Sequence, residues 1–247
     1  MDTDPHVADP GPNTGKDPAP QTKGERTRER IYQVALQRFA EDGVEATSLR
    51  GIAKEVGVTP ALLYRYFANR DAIIAEVYSR SLAEWAEAAA GIPQGSWVDR
   101  VHWLTALAIE TLEPHRALLR ALVPSMLDGD PMASPLRNES SVAIGRPLFH
   151  SAVAEAKDAP KAKNLEAYVE LANLAHLGLI LLWVYDKTPN QRATQALMKA
   201  SRALGPWLQL GLKTPVVGKR ILGLAETVGE ALRTGAEGVA EAGEEVQ

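Results

Sequence analysis

Thr47-Ser48-Leu49-Arg50-Gly51-Ile52-Ala53-Lys54-Glu55-Val56-Gly57-Val58-Thr59-Pro60-Ala61-Leu62-Leu63-Tyr64-Arg65-Tyr66-Phe67 reads as two short helices joined by a tight glycine turn. Thr47 or Ser48 caps the first, since a short hydroxyl side chain accepts backbone N–H groups that the opening turn leaves unpaired. Leu49, Ile52, Ala53 and Val56 form its buried stripe. Gly57 ends it and Val58 packs under the turn. Thr59 caps the second helix, about 60–67, with Pro60 at its first position, where a missing amide costs nothing. Leu49, Ile52, Ala53, Val58, Leu62, Leu63 and Phe67 make a small core that fixes the angle between the two helices. The second helix is left with an aromatic and basic outer face. A helix held this way can lie in the major groove of DNA with its N-terminal residues toward the base edges.

Upstream, residues 1–22 are dense in Pro, Gly, Asp and Thr and have almost nothing to bury, which predicts a disordered arm. Lys23, Arg26 and Arg28 follow, and Ile31, Val34, Ala35 and Phe39 recur at helical spacing, predicting a helix over about 25–41 that Asp42-Gly43 ends. Downstream, Asn69-Arg70-Asp71 starts a long helix through Ile73, Ile74, Val77, Leu82 and Trp85 that ends near Gly91-Ile92-Pro93. Helical patterns continue over Ser96 to Leu112, His115 to Leu127 with an interruption at Pro124, and about 139–157, after a loop from Asp128 to Pro135. They go on over 161–186, 190–212 and a last helix of about 215–240, with the stripe Val217, Ile221, Leu224, Val228 and Leu232. No alternating run of strand length appears, so the expected fold class is all-α. The expected domains are the arm 1–22, a three-helix DNA-binding domain with a helix-turn-helix over 23–70, a larger helical domain over 71–212, and an additional C-terminal helix and acidic tail over 213–247.

With 247 residues, 45% of them hydrophobic, the chain can bury a large core. It has no cysteine, which excludes disulfides, thiolate metal sites and cysteine nucleophiles. The net charge of -4 argues against indiscriminate coating of nucleic acid, but it hides an asymmetry. Arg50, Lys54, Arg65 and Arg70 face one acid, Glu55, between positions 50 and 70, whereas Glu226, Glu230, Glu237, Glu241, Glu244 and Glu245 face Arg233 alone near the end. No run of eighteen uninterrupted apolar residues and no secretory leader is seen, so a cytoplasmic protein without membrane attachment is expected.

Of the five histidines, His6, His102, His115, His150 and His176, none forms an obvious chelate with a neighbouring His, Asp or Glu at helical spacing. Neither a glycine-rich phosphate loop, nor a nucleophile elbow, nor a credible triad is present. The reading is therefore no metal, no cofactor and no enzyme.

The first three helices resemble the DNA-binding domain of the TetR family of bacterial transcriptional regulators. The residues that carry the resemblance are Thr27-Arg28, Phe39-Ala40-Glu41-Asp42-Gly43, Thr47 to Ala53, Gly57-Val58-Thr59 and Leu63-Tyr64-Arg65-Tyr66-Phe67-Ala68-Asn69-Arg70, in the family's order over roughly 25–75. On this reading Thr59, Pro60 and Ala61 lie nearest the bases, the hydroxyl as a hydrogen-bond partner and the two small residues against a thymine methyl. Arg65 either reaches guanine or phosphate or is a solvated charge. The resemblance implies that Tyr64 and Tyr66 hold the DNA backbone, and their two-residue spacing requires at least one to face outward. Ser48, Arg50 and Arg70, at helix starts, are placed on phosphates, and Arg26 and Arg28 near the adjacent minor groove or backbone.

A reader this small binds weakly and with strong salt dependence, so a second copy on a palindromic operator of double-stranded DNA is needed. The resemblance puts a homodimer interface on the two helices before the end, here 161–186 (Tyr168, Leu171, Leu174, Ala175, Gly178, Leu182, Tyr185) and 190–212 (Ala193, Leu197, Ala200, Leu204, Trp207, Leu208). It also implies a small-molecule effector within the helices, with Trp103, Leu107, Leu119, Met126, Phe149, Asn173, His176, Leu177 and Ile180 as candidate lining residues or as plain core. The expected function is a ligand-responsive transcriptional regulator, a homodimeric repressor released from its operator by a small, largely apolar molecule. The alternatives are an activator, or a regulator whose C-terminal domain senses a partner protein.

Overall fold

The computed structural model describes residues 22–127 and 139–234, with side chains over 22–121 and 144–231. The expected arm over 1–21, the loop from Asp128 to Pro135, the tail beyond 234 and the side chain of Met126 lie outside the described residues. Every regular element among the described residues is helical.

Helix α1 (Lys23–Asp42) opens on a reciprocal cap: Thr22 accepts from the Glu25 amide, and the Glu25 carboxylate accepts from the Thr22 amide. Ser48, not Thr47, caps α2 (Leu49–Val56), accepting from Gly51. Thr47 is buried instead, and its hydroxyl lies 2.8 Å from the Gly43 carbonyl oxygen. At Gly57 the backbone turns left-handed, φ 77° and ψ 34°, a conformation that a Cβ would crowd. In that conformation Gly57 and Val58 both donate to Ala53, closing the turn into α3 (Pro60–Tyr66). Asn69 caps α4 (Arg70–Ala88), which a single 3-10 turn extends to Gly91.

Ile31, Phe39, Ile52, Leu63 and Phe67 form one core with Ile73, Ile74 and Val77 of α4. A domain boundary at residue 70 would cut through this core, because α4 buries its first two turns in the reader. Leu118, from α6 (Arg116–Leu127), enters the same core. Helix α6 also runs on through Pro124, where an interruption was expected, because an interior proline removes a single backbone bond.

The second core lies among α4, α5 (Trp97–Leu112), α7 (Glu139–Ala154) and α8 (Leu165–Tyr185), around Trp85, Leu104, Phe149, Ala152 and Val169. Arg100 is buried inside it but not unpaired, since its guanidinium donates to the carbonyls of Ala152, Ser151 and Pro93 and meets Glu155 at 3.3 Å. The C-terminal carbonyls of α8 are closed by α6: Arg116 donates to Trp183 at 2.9 Å, and Arg120 to Val184 at 2.8 Å. Next to them, the Asp186 carboxylate accepts from the hydroxyls of Thr188 and Thr194 and from both their amides. These bonds, the Thr188 hydroxyl first, hold its carboxyl well below the usual range. Helix α9 (Arg192–Lys213) then returns along α8, and α10 (Pro215–Thr234) folds back over both.

Helix α8, with the turn before it, is long and apolar enough to cross a membrane by length and composition, with 39% of that window buried. From its buried stripe, Val169, Ala172 and Trp183 pack on the chain's own cores.

Candidate nucleic-acid interface

Helix α3 leaves Thr59, Pro60, Ala61, Tyr64 and Arg65 exposed, while Leu63 anchors it in the core. Of the two tyrosines, Tyr64 faces out at 47% exposure. Tyr66 is half-buried, and its hydroxyl sits 3.5 Å from where a Cβ on Gly24 would stand, beside the start of α1. Helix periodicity favours Tyr66 over Tyr64 for the backbone contact, whereas the structure leaves Tyr64 the more exposed of the two. The Thr59 and Ser48 hydroxyl oxygens already accept amide protons as caps, so each retains its own proton for a further bond.

The arginines separate into two groups. Arg26, Arg50, Arg65 and also Lys54 are exposed and meet no partner among the described residues. Arg28 and Arg70, expected on DNA, are instead tied within the domain. Arg28 forks onto both oxygens of Glu76 and lies over the Phe67 ring, with 4.8 Å to its centroid. Arg70 donates to the carbonyls of Val44 and Glu45 at 2.8 and 3.0 Å, tying the start of α4 to the loop before α2. Both hold the reader together, because an acid or a carbonyl in reach binds a guanidinium that solvent would otherwise hold. Arg80 extends the Arg28 pair to Glu29 and stacks on Tyr32, with 3.9 Å to the ring centroid. Burial would raise the Glu76 carboxyl, but the bonds from Arg28 and Arg80 outweigh it and hold it below its ordinary value. Arg38 pairs with Glu55 at 2.7 Å, which neutralises the one acid between positions 50 and 70. Arg30, which carried no role in the sequence, donates to the last carbonyl of α2 at Val56.

Among the candidate effector contacts, the structure joins Phe149 and His176, whose ring centroids are 4.9 Å apart. Trp85 of α4 stacks on the His176 ring at 5.5 Å and 7°, and Thr105 of α5 meets Nδ1 at 3.1 Å. Neither Trp85 nor Thr105 could be picked from the sequence, since each is one apolar or small residue among many on another helix. Burial alone pushes the His176 imidazole down to about 4, so it is neutral at pH 7. Trp103, Leu107 and Ile180 are half-buried against this same core. Leu119 lies apart, in a small cluster with Leu112, Trp183 and Val184 that Ile180 also touches. Asn173 and Leu177 are half-buried on α8.

A family profile described as bacterial regulatory proteins, tetR family, matches residues 31–77. The HTH-type transcriptional regulator UidR of Escherichia coli (strain K12) is 29% identical over 124 residues, which cover 48% of this chain and 61% of UidR. AcrR of Shigella flexneri, also named as an HTH-type transcriptional regulator, is 40% identical over 59 residues, 24% of this chain and 27% of AcrR. The crystal structure of a TetR transcriptional regulator from Nitrosomonas europaea superposes with a TM-score of 0.51 at 22% identity, over 74% of this chain and 99% of that one, a likeness of fold. The chain thus spans 61% of the length of UidR, and the profile ends at Val77, where the core of the reader also ends on α4. Residues 31–77 are thus similar to the DNA-binding part of the bacterial regulatory proteins of the tetR family.

Proposed function

We propose that the chain is a ligand-responsive DNA-binding transcriptional regulator. It acts as a homodimer, represses from a palindromic operator, and leaves it when a small, largely apolar molecule enters the C-terminal helical domain. The reading rests chiefly on α3, whose Thr59, Pro60, Ala61, Tyr64 and Arg65 project from a rigid core while Arg65 has no partner within the domain. Thr59 to Ala61 take the base edges, Arg65 a guanine or phosphate, and Tyr64, Tyr66, Ser48, Arg50 and Arg26 the backbone. Arg28 and Arg70 support these groups from inside the domain.

Few phosphates lie within reach of one reader, so the second copy supplies affinity. Two helices offer a face for it. On α8, Ala175, Gly178 and Tyr185 are exposed, and on α9, Leu197, Ala200, Leu204 and Trp207. The α9 set recurs every three or four residues, the spacing of a helix-packing seam, and the α8 set lies at intervals of three and seven on one face. The effector is placed between α4, α5, α7 and α8, beside Phe149 and His176, where a ligand would press on Trp85 and hence on α4.

Selection of bound duplexes from a random pool tests this. An inverted repeat is expected, with half-sites about one helical turn apart or a multiple of it. Arg65→Ala should weaken binding to the selected duplex by roughly tenfold to a hundredfold, the loss of one bidentate base contact. Enrichment of no sequence, or unchanged binding by Arg65→Ala, would refute the assignment of α3. Transcription in vitro from a template carrying the selected site reads whether the protein represses or activates.

A further inference from the structure

Helix α10 carries two apolar stripes with the same spacing. Gly218, Leu222, Ala225 and Gly229 are buried on the side of α10 that meets the chain's own α8 and α9. Gly229 lies against the Glu170 carboxylate and Gly218 against the Leu212 carbonyl, so neither position has room for a Cβ. The second stripe, Val217, Ile221, Leu224 and Val228, is one step round the helix; Ile221 is half-buried against the chain's own core, and the other three remain open. Val217 is 47% exposed, Leu224 65% and Val228 39%. The four-three-four spacing of these branched residues is that of a helix-packing seam. Solvent-facing helices ordinarily place polar groups there.

We propose that this open stripe packs on a second copy of the chain, which makes α10 a third helix of the dimer face. The proposal rests on the reading that α8 and α9 carry the dimer. The α9 seam runs Leu197, Ala200, Leu204, Trp207 and Gly211, with Leu204 60% and Trp207 71% exposed. A Cβ on Gly211, where that seam ends, would sit 3.8 Å from the Val217 side chain, where the α10 seam starts. The two seams are therefore one surface, bent at Thr214. A helix from the partner laid along α9 meets α10 as it passes Gly211. Two-fold symmetry counts each contact twice, so a short stripe adds area on both sides. The chain's own last segment is a poorer occupant, since residues 235–247 bring Glu237, Glu241, Glu244 and Glu245 with only Val239 and Val246 as branched apolar residues. Because α10 is braced on α8, its contact with the partner fixes the tilt between the copies and so the spacing of the two α3 helices.

Sedimentation equilibrium on full-length variants tests the proposal. Trp207→Asp should convert the dimer to monomer at micromolar concentration. The double variant Leu224→Asp, Val228→Asp should raise the dimer dissociation constant by about tenfold or more, with unchanged helicity, because both residues are exposed in the single chain. A double variant that dimerises like the wild type, while Trp207→Asp dissociates, overturns the role of α10 and leaves the α8–α9 dimer standing. If neither variant dissociates, the dimer face itself is wrong. The chain lacks cysteine, so Leu224→Cys provides a unique thiol. Its reaction with a disulfide reagent should be about tenfold slower in the dimer than in the Trp207→Asp background. Equal protection in the monomer would show that the chain's own tail covers the stripe, and would overturn the proposal.

Discussion

His176 gives the C-terminal helical domain a pH signature that one substitution isolates. Its ring is 8% exposed, stacked on Trp85, tilted against Phe149, and joined through Nδ1 to Thr105. Burial holds its pKa near 4 against an ordinary 6.5, and no charged group contributes. The unfolded chain takes up a proton as the pH falls through 6.5, whereas the folded chain refuses it until about 4. Stability present above pH 6.5 is therefore lost progressively down to about pH 4 and levels off below that. From 6.5 to 4, at roughly 1.4 kcal/mol per pH unit, the loss comes to about 3 kcal/mol. His176→Phe keeps a ring between Trp85 and Phe149 but removes the proton site. Urea unfolding of both proteins from pH 7.5 to 4.5 measures the difference, since the other histidines and the carboxylates cancel between them. The wild type should lose roughly 2–3 kcal/mol more than the variant over that range. Parallel stability curves would mean that the imidazole is not held neutral by its surroundings, and the packing described around it would be wrong.

Two further substitutions probe the reader. Gly57→Ala meets no atom within 4 Å of the new Cβ, so its cost is the left-handed backbone alone, about 1 kcal/mol. A fall of roughly 2–4 °C in Tm is expected, and an unchanged Tm would contradict the turn geometry. Glu76→Gln leaves Arg28 and Arg80 with a neutral acceptor and should loosen α1 from α4, at a cost of about 1–3 kcal/mol. Faster amide exchange in α1, with α8 unaffected, is the expected result; uniform exchange would show that the network holds nothing together.

The three reader helices were legible because local chemistry marks their ends: Ser48, Thr59 and Asn69 cap, Gly57 turns, and Pro60 opens. The fates of Arg28 and Arg70 were not legible. Their partners, Glu76 and the Val44 and Glu45 carbonyls, are 48, 26 and 25 residues away, and no periodicity reports such a pairing. The same limit applies to the C-terminal helices. The apolar length of α8 was plain, but that His176 stacks on Trp85 depends on how α4 crosses α8, which no local pattern encodes. Leu119 and Phe149 looked equivalent as apolar residues, yet helix packing sends them to separate clusters.

The way the cores divide also bears on how a ligand could be felt at the DNA. The reader core contains Ile73, Ile74 and Val77, and the second core contains Leu82 and Trp85 from the same helix. Less than two turns of α4 separate the two, with Arg80 between them fastened to Glu29 of α1. Interiors packed at crystal-like density shift as bodies and do not bend residue by residue. On the proposed reading, a ligand that displaced Trp85 would act on the reader through α4, which Arg80 fastens to α1. Leu118 supplies a second connection, since α6 inserts it into the reader core while Arg116 and Arg120 hold the end of α8. With the reader gripped at both α4 and α6, a movement of α4 relative to α6 has to be absorbed inside the reader core, where Ile31, Ile73 and Leu63 are fully buried and leave no slack.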